Sequence, residues 1–229
     1  RSSQISLSDL DDNDMRHAKE WPFPIKRAMA NNSAVFREKP SAADFLVEWG
    51  ALAKSGTGER GIFNLEAAQN RAPSRRYAPK IQGTNPCGEI MLRDMQFCNL
   101  SEVVIRDDDD LDTLLDKVET ATWLGVIQAT FTDFPYLRKE WKKNCDVERL
   151  LGVSLTGQMD NPSILTSECL KALKSRVLRI SRKAADILDI NVPVATTCVK
   201  PSGTVSQLVD SASGVHPRYS QYYIRRYRI

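Results

Sequence analysis

Histidine is almost missing from this 229-residue sequence, with only His17 and His216 present. That leaves no material for a histidine-based metal centre or a Ser-His-Asp triad. There is no CxxC pair and no Cys/His cluster, so no zinc site is expected. The five cysteines are odd in number and widely spaced, which argues against a secreted disulfide framework. No apolar run approaches the roughly 18 residues of a membrane span. No internal repeat is visible. A net charge of +3 is too small to predict a nucleic-acid partner. What is present, 41% hydrophobic and 27% charged residues, is the composition of a soluble globular chain, long enough for one large domain. The chain starts at Arg1 without a methionine or a signal-like apolar region. It stops after the basic, strand-like segment from Tyr222 to Ile229. Both ends read as cut, which predicts a fragment of a longer protein.

Taken in order, the pattern alternates strand and helix. Arg1 to Leu7 alternates polar and apolar residues and predicts a strand. The acidic run Asp9 to Asp14 lacks the glycine and terminal glutamate of a calcium loop and predicts a solvated loop. Ser41 and Asp44 have capping-box spacing ahead of Phe45, Leu46, Trp49 and Leu52 at helical intervals, and Gly56 closes that helix. Gly56 to Gly61 lacks the Lys-Ser/Thr ending of a P-loop and predicts a turn into a short strand at Ile62 to Asn64. Arg71, Arg75, Arg76 and Lys80 form a basic loop, read as a solvated face or as a polyphosphate neutraliser. A strand follows over Asn99 to Ile105, and an acidic turn at Asp107 to Asp110 caps a long buried helix running to Phe131. A basic helix from Tyr136, a buried strand at Leu150 to Leu155 and an amphipathic helix holding Leu170 to Ile187 come next. The β-branched stretch Val192 to Val199 predicts a last buried strand, turned into a helix by Pro201 to Ser206. The alternation predicts an α/β domain.

The stretch that carries chemistry is Thr84-Asn85-Pro86-Cys87-Gly88-Glu89-Ile90. Proline fixes its own φ and pushes Asn85 toward an extended conformation, while glycine permits a tight turn. Cys87 is therefore expected at the tip of a loop. In an extended loop, residues two apart project to one side, so Asn85, Cys87 and Glu89 could meet one small ligand as hydrogen bonder, sulfur and carboxylate base. The competing reading is a small buried cysteine between ordinary turn dipeptides. A second segment, Pro201-Ser202-Gly203-Thr204-Val205-Ser206, offers hydroxyls, a glycine and a helix start, which suit phosphate but also serve as a plain helix cap.

Asn85-Pro86-Cys87-Gly88-Glu89-Ile90, followed by Gln96-Phe97-Cys98-Asn99-Leu100-Ser101-Glu102, resembles the finger loop of the large, catalytic ribonucleotide reductases. Val199-Lys200-Pro201-Ser202-Gly203-Thr204-Val205-Ser206 resembles their substrate-phosphate loop. Leu151 to Gly157 and Tyr223 to Arg226 are most similar to the monomeric adenosylcobalamin-dependent class. The resemblance runs over nearly the whole chain, with two motifs in the right order.

It implies a ten-stranded α/β barrel with the finger loop through its centre, residues 1–229 supplying roughly the second half and truncated at both ends. It implies that Cys87 is the thiyl that removes the substrate 3′-hydrogen, Glu89 the base for the 3′-hydroxyl, and Asn85 the amide that orients the sugar. Cys98 matches one of two reducing thiols, and its partner is expected upstream, since Cys145, Cys169 and Cys198 do not match that position. Ser202, Gly203, Thr204, Val205 and Ser206 match the phosphate holders. The implied cofactor is adenosylcobalamin. The implied partners are a ribonucleoside triphosphate, a thioredoxin-type reductant and a deoxynucleotide effector whose site lies outside this stretch, in the cytoplasm, with no membrane or nucleic acid. Two rivals stay open: the catalytic subunit of a metal-dependent diphosphate reductase, and a non-catalytic nucleotide-binding module.

Overall fold

The computed structural model describes residues 4–224. It divides into two compact units, one running to Met95 and the other starting at Gln96.

The first unit is built on a parallel sheet of three strands in the order β1 (Gln4–Ser8), β2 (Ala30–Phe36) and β3 (Gly61–Asn64). The strand expected from Arg1 is present from Gln4 onward, and residues 1–3 lie outside the described residues. Val35, Leu65 and Ile81 form its core, with Leu7, Phe63 and Met91 packed against them. Helix α1 (Asn13–Arg16) begins inside the acidic run, where the Asp12 side chain accepts from the Met15 N–H. The run is more than a solvated loop. The backbone carbonyls of Asp9 and Asp12 accept from the buried Arg60 guanidinium at 2.8 and 3.0 Å.

Helix α2 (Ala42–Ser55) starts at Ser41, whose hydroxyl accepts from Asp44 N–H, and ends at Gly56 in the left-handed region, as the sequence predicts. Its burial is unexpected. Phe45, Leu46 and Trp49 stay largely exposed, and the one buried residue of the helix is Glu48. Helix α3 (Leu65–Asn70) follows β3 directly, capped by Asn64. A two-stranded antiparallel hairpin, β4 (Gly83–Thr84) and β5 (Met91–Leu92), closes the unit.

The second unit is built in the order β-α-α-β-α. Strands β6 (Asn99–Val104) and β7 (Leu151–Thr156) run parallel, with Asn99 opposite Leu151 and Val104 opposite Thr156. Between them come α4 (Leu111–Gln128) and α5 (Lys139–Glu148), and after them α6 (Ser167–Ile187). Asp110 and Thr113 make a reciprocal capping box at the start of α4, as the acidic turn predicts. Leu114, Val118 and Ala121 of α4 pack on Leu173 and Val177 of α6, and both helices rest on Val103 and Val153 of the sheet. Fully burying each such aliphatic side chain contributes about 1.5–3 kcal/mol, so this face is where the unit gains its stability.

One predicted strand is not formed. Residues 192–199 carry only an isolated bridge, Thr197 opposite Val153, and Val192 and Val199 are exposed. Pro193 has no N–H to give to a ladder. The N–H groups of Leu151 and Val153, two residues apart, donate to the consecutive carbonyls of Ala195 and Thr196. An extra residue is squeezed in at that point, and regular register is lost. The segment still lies beside β7, because Cys198 N–H donates to Val153 O. Helix α7 (Val205–Leu208) is only a single turn. Of the basic closing segment, residues 225–229 lie outside the described residues.

Candidate functional site

The expected finger loop is the turn of the β4–β5 hairpin, and Cys87 is at its exposed tip. Asn85 N–H donates to Ile90 O at 3.1 Å, and Gly88 N–H donates to Asn85 O at 3.0 Å. Gly88 has φ +84, a conformation that strains any residue with a Cβ. The chain therefore doubles back after Cys87 and is not extended, so the alternation argument does not carry across Gly88. The Asn85 side chain is turned inward, its Oδ1 accepting from Ile90 N–H at 3.0 Å. Thr84 Oγ1 donates to Ile90 O at 3.0 Å. Glu89 is half-buried beside the exposed cysteine. The turn is tied to the body of the unit by Asn31 of β2, whose amide donates to Pro86 O. Arg76, buried and donating to Met91 O at 2.9 Å, braces the base of the hairpin. Of the basic loop residues, Arg76 is therefore a structural brace, a role its charge in the sequence did not distinguish.

Cys98 and Ser202–Ser206 belong to the second unit. Cys98 is half-buried immediately before β6. It lines a cavity of about 640 Å³ whose walls include Phe97, Phe131, Phe134 and Cys145. Phe97 N–H donates to the Cys145 sulfur at 3.4 Å. Burial pushes the Cys145 thiol above its ordinary value, and Cys169, inside the core, is raised for the same reason.

The 202–206 loop rests on the face of β6–β7 opposite the helices. Successive strand residues point to opposite faces. Val103 and Val153 go to the core, while Glu102, Ser154 and Thr156 face the loop. Ser154 Oγ accepts from Lys200 N–H at 2.9 Å, and the Ser202 hydroxyl donates to Glu102 Oε2 at 2.9 Å. Thr156 Oγ1 accepts from Gly214 N–H at 2.9 Å and donates to Ala212 O at 3.1 Å. Gly214 passes so close beneath the loop that a Cβ there would sit 2.9 Å from Lys200 O. Arg106 holds Val209 O and Asp210 O, and Asp160 accepts from Ala212 N–H at 2.8 Å.

The loop itself is wound tightly. Ser202 has φ +63 and Gly203 φ +59, both left-handed. For a residue with a side chain this costs roughly 1–2 kcal/mol, and a hydrogen bond to a charged group, worth about 1.5–3 kcal/mol, offsets it. Gly203 N–H is taken by Pro201 O and Ser213 Oγ. The first amides of α7, at Val205 and Ser206, have no acceptor within the helix. Ser206 is fully buried, and its hydroxyl donates to Gly203 O at 2.6 Å. Its side chain braces the loop, so any contact it makes to an anion runs through its backbone. A cavity of about 470 Å³ adjoins the loop, lined by Ser206, Gln207, Asp210, Arg218 and Tyr219 among others. Glu102, Ser154 and Arg106 were not singled out from the sequence. The alternation of Glu102 and Ser154 with apolar neighbours on two strands was the available signal.

This arrangement has the α/β fold of part of solved ribonucleotide reductases. It superposes on a B-12-dependent (class II) ribonucleotide reductase with TM-score 0.73 and 23% identity, covering 94% of this chain and 34% of that one. It superposes equally on the class Id ribonucleotide reductase alpha subunit of Actinobacillus ureae, with TM-score 0.74, 19% identity and coverage of 96% and 50%. In sequence the particular likeness is to adenosylcobalamin-dependent ribonucleoside-triphosphate reductases along the full chain. Identity is 29% over 270 residues to the protein of Lactobacillus acidophilus, 29% over 267 to that of Lacticaseibacillus paracasei and 28% over 273 to that of Lactobacillus leichmannii. The chain spans about a third of these relatives, 35%, 34% and 35% of their lengths. No family model matches it.

Proposed function

We propose that this chain is part of an adenosylcobalamin-dependent reductase that converts ribonucleoside triphosphates to 2′-deoxyribonucleoside triphosphates. The observation that carries the proposal is a sulfur at the exposed tip of a braced hairpin, inside a chain similar over its whole length to such reductases. A ten-stranded barrel around that hairpin, of which residues 1–229 form roughly the second half, belongs to the same reading.

The residues suit the cofactor in that Cys87 is exposed at the hairpin tip, where its thiol can be reached. When bound, adenosylcobalamin supplies the radical equivalent that converts the Cys87 thiol to a thiyl. The thiyl takes the 3′-hydrogen atom of the ribose and becomes a thiol again. Glu89 takes the 3′-hydroxyl proton, and the 2′-hydroxyl then leaves as water. Asn85, whose Oδ1 is held by Ile90 N–H, has its amide nitrogen to offer the sugar. Cys98 and a second thiol supply two electrons and two protons, one proton leaving with the 2′-hydroxyl as water and the other ending as the new hydrogen at C2′. They end as a disulfide, which a thioredoxin-type reductant reopens, while Cys87 returns its hydrogen atom to C3′ and Glu89 its proton to the 3′-oxygen. The loop Ser202, Gly203, Thr204, Val205 and Ser206 holds the phosphates through backbone amides at the start of α7 and the Thr204 hydroxyl. A deoxynucleotide effector acts on a part of the enzyme outside this chain, and the enzyme works in the cytoplasm. Among the described residues no helix is long and apolar enough to cross a membrane.

The fold does not favour a class II over a class Id reductase, since the two TM-scores are 0.73 and 0.74. The sequence relatives do. The test uses the full polypeptide that the gene encodes, supplied with adenosylcobalamin and 3′-tritiated substrate. Cys87→Ser abolishes tritium release, because an alcohol O–H is too strong a bond to be opened by the same exchange. Glu89→Gln keeps substrate binding and loses about 10²–10⁴-fold in reduction rate. Tritium release by Cys87→Ser, or reduction by Glu89→Gln at the wild-type rate, refutes the assignment.

A further inference from the structure

We infer that Glu102 is a positioning residue of the 202–206 loop, and that phosphate binding there is coupled to uptake of a proton by its carboxylate. The inference rests on the reading of 202–206 as a phosphate loop and adds a carboxylate that this reading leaves out.

Glu102 projects from the middle of β6, beside Ser154 of β7 in the parallel register. The two side chains grip the loop entry at successive points, Ser154 at Lys200 N–H and Glu102 at the Ser202 hydroxyl. Glu102 Oε2 accepts that hydroxyl at 2.9 Å, while Oε1 is buried with no hydrogen-bond partner. A carboxylate with one bare buried oxygen is an awkward neighbour for a polyphosphate, because like charges at close range disfavour each other's ionised form. Burial raises its pKa, and only the Ser202 hydroxyl and the Lys200 charge act in the other direction.

Of the charged groups near it, only Lys200 shifts its carboxyl. Arg106, at the end of its own strand, holds the carbonyls of Val209 and Asp210. Asp116 and Lys117 of α4 line a cavity that Glu102 also borders, but Lys117 is paired with Asp109 at 2.7 Å and neither is among the groups that shift the Glu102 carboxyl. Ser154 of β7 is neutral. Lys200 is thus the cation that acts on Glu102, and a bound phosphate competes with Glu102 for it.

Protonation resolves the conflict. A proton from solvent converts the carboxylate to a carboxylic acid, which donates to Ser202 Oγ. The Ser202 hydrogen, previously given to Glu102, then turns to a phosphate oxygen. The left-handed conformation of Ser202 is kept throughout, because the Glu102–Ser202 hydrogen bond reverses direction and does not break. Binding therefore tightens as pH falls, beyond what the ligand's own ionisation produces.

The test is calorimetric titration of the full polypeptide with cytidine triphosphate from pH 6.5 to 8.5, in two buffers of different ionisation enthalpy, which counts the protons taken up. The wild type should take up a proton fraction that grows toward neutral pH. Glu102→Gln keeps an acceptor for Ser202 but cannot titrate. It should bind with no such uptake, and at pH 8.5 about fivefold tighter than wild type, the scale of one removed like-charge contact near the surface. Ser202→Ala, a smaller change, should bind more weakly and with a shallower pH slope. Glu102→Gln with wild-type proton uptake and pH slope overturns the inference and leaves the phosphate-loop reading standing. So does a Ser202→Ala slope equal to the wild type's. A wild-type protein that binds no triphosphate removes both together.

Discussion

Glu48→Gln should be among the most damaging isosteric substitutions in the first unit. Glu48 is 1% exposed on α2, and its Oε1 accepts from Arg16 Nε at 2.9 Å and Nη2 at 2.7 Å. Its Oε2 faces Arg60 Nε at 3.4 Å, and both of those side chains are 1% exposed. Arg60 reaches from there to the carbonyls of Asp9 and Asp12, so one carboxylate ties α2 to the acidic loop and the turn before β3. Burial lowers the Arg60 pKa, and the Glu48 charge is the main force opposing that. Glutamine preserves the shape and removes the charge. The Arg16 side chain, 17% exposed, has water within reach, but Arg60 has none. Breaking a buried pair by removing one partner costs about 3–5 kcal/mol, against a total stability of about 5–15 kcal/mol for a typical protein. The assay is urea unfolding followed by circular dichroism. The double substitution Glu48→Leu with Arg60→Met removes both buried charges and should recover most of the loss. A Glu48→Gln protein within about 1 kcal/mol of wild type would show that the pair is solvated and the burial argument wrong. A double variant as unstable as the single one would show that packing, not charge, was lost.

Two glycines with the same backbone sign should respond differently to alanine. Gly56→Ala meets open space at φ +64 and should cost about 1–2 kcal/mol. Gly157→Ala, at φ +72, places a Cβ 2.6 Å from Ile105 O and should cost roughly 2–5 kcal/mol; equal thermal shifts would refute the contact argument. Alkylation with iodoacetamide followed by mass spectrometry should modify Cys87 first and reach Cys145 and Cys169 only on unfolding, since those two are buried with raised pKa values. Early loss of Cys145 would contradict its burial. Burial pushes the Asp109 carboxyl up, but the Lys117 ammonium and the Arg106 and Thr113 donors outweigh it and lower its pKa. Its contribution is therefore present above about pH 4 and fades as pH falls through the lowered native value. Lys117→Met should cost about 0.5–1 kcal/mol at neutral pH, because Lys117 is 37% exposed, and should flatten the acid limb of the stability curve. An unchanged acid limb would refute the pairing.

The parts of the fold that were legible were those set by local chemistry. Ser41, Asp44 and Gly56 bound α2, and Asp110 caps α4, because caps act within four residues of themselves. Cys87 sits on a hairpin tip because Pro86 and Gly88 leave few other conformations. Burial was less legible. The apolar periodicity of α2 points to Phe45, Leu46 and Trp49, yet Glu48 is the residue taken inside, because two arginines from distant segments converge on it. No window of sequence contains that encounter. The 192–199 stretch reads as a strand on composition alone, and its ladder is broken by Pro193 and by a doubled contact to β7.

The same distinction applies to the candidate site. Both motifs stand on turns, where a short sequence dictates the backbone. The motifs do not mark what holds those turns. Ser202 can remain left-handed because Glu102, one hundred residues earlier, accepts its hydroxyl, and because Ser154 holds Lys200 from the next strand. Those two residues sit in register only after β6 and β7 have paired, which in turn depends on α4 and α6 covering the other face. The apolar positions of the two strands therefore act on the loop from the far side of the sheet. A one-residue slip of either strand would send Val103 or Val153 toward the loop and Glu102 or Ser154 into the core. Register on β6–β7 is thus a condition for the shape of the 202–206 loop as much as for the core, and, on the proposed phosphate role of that loop, a substitution that loosens the helices over this sheet should weaken anion binding without touching a single residue of the loop.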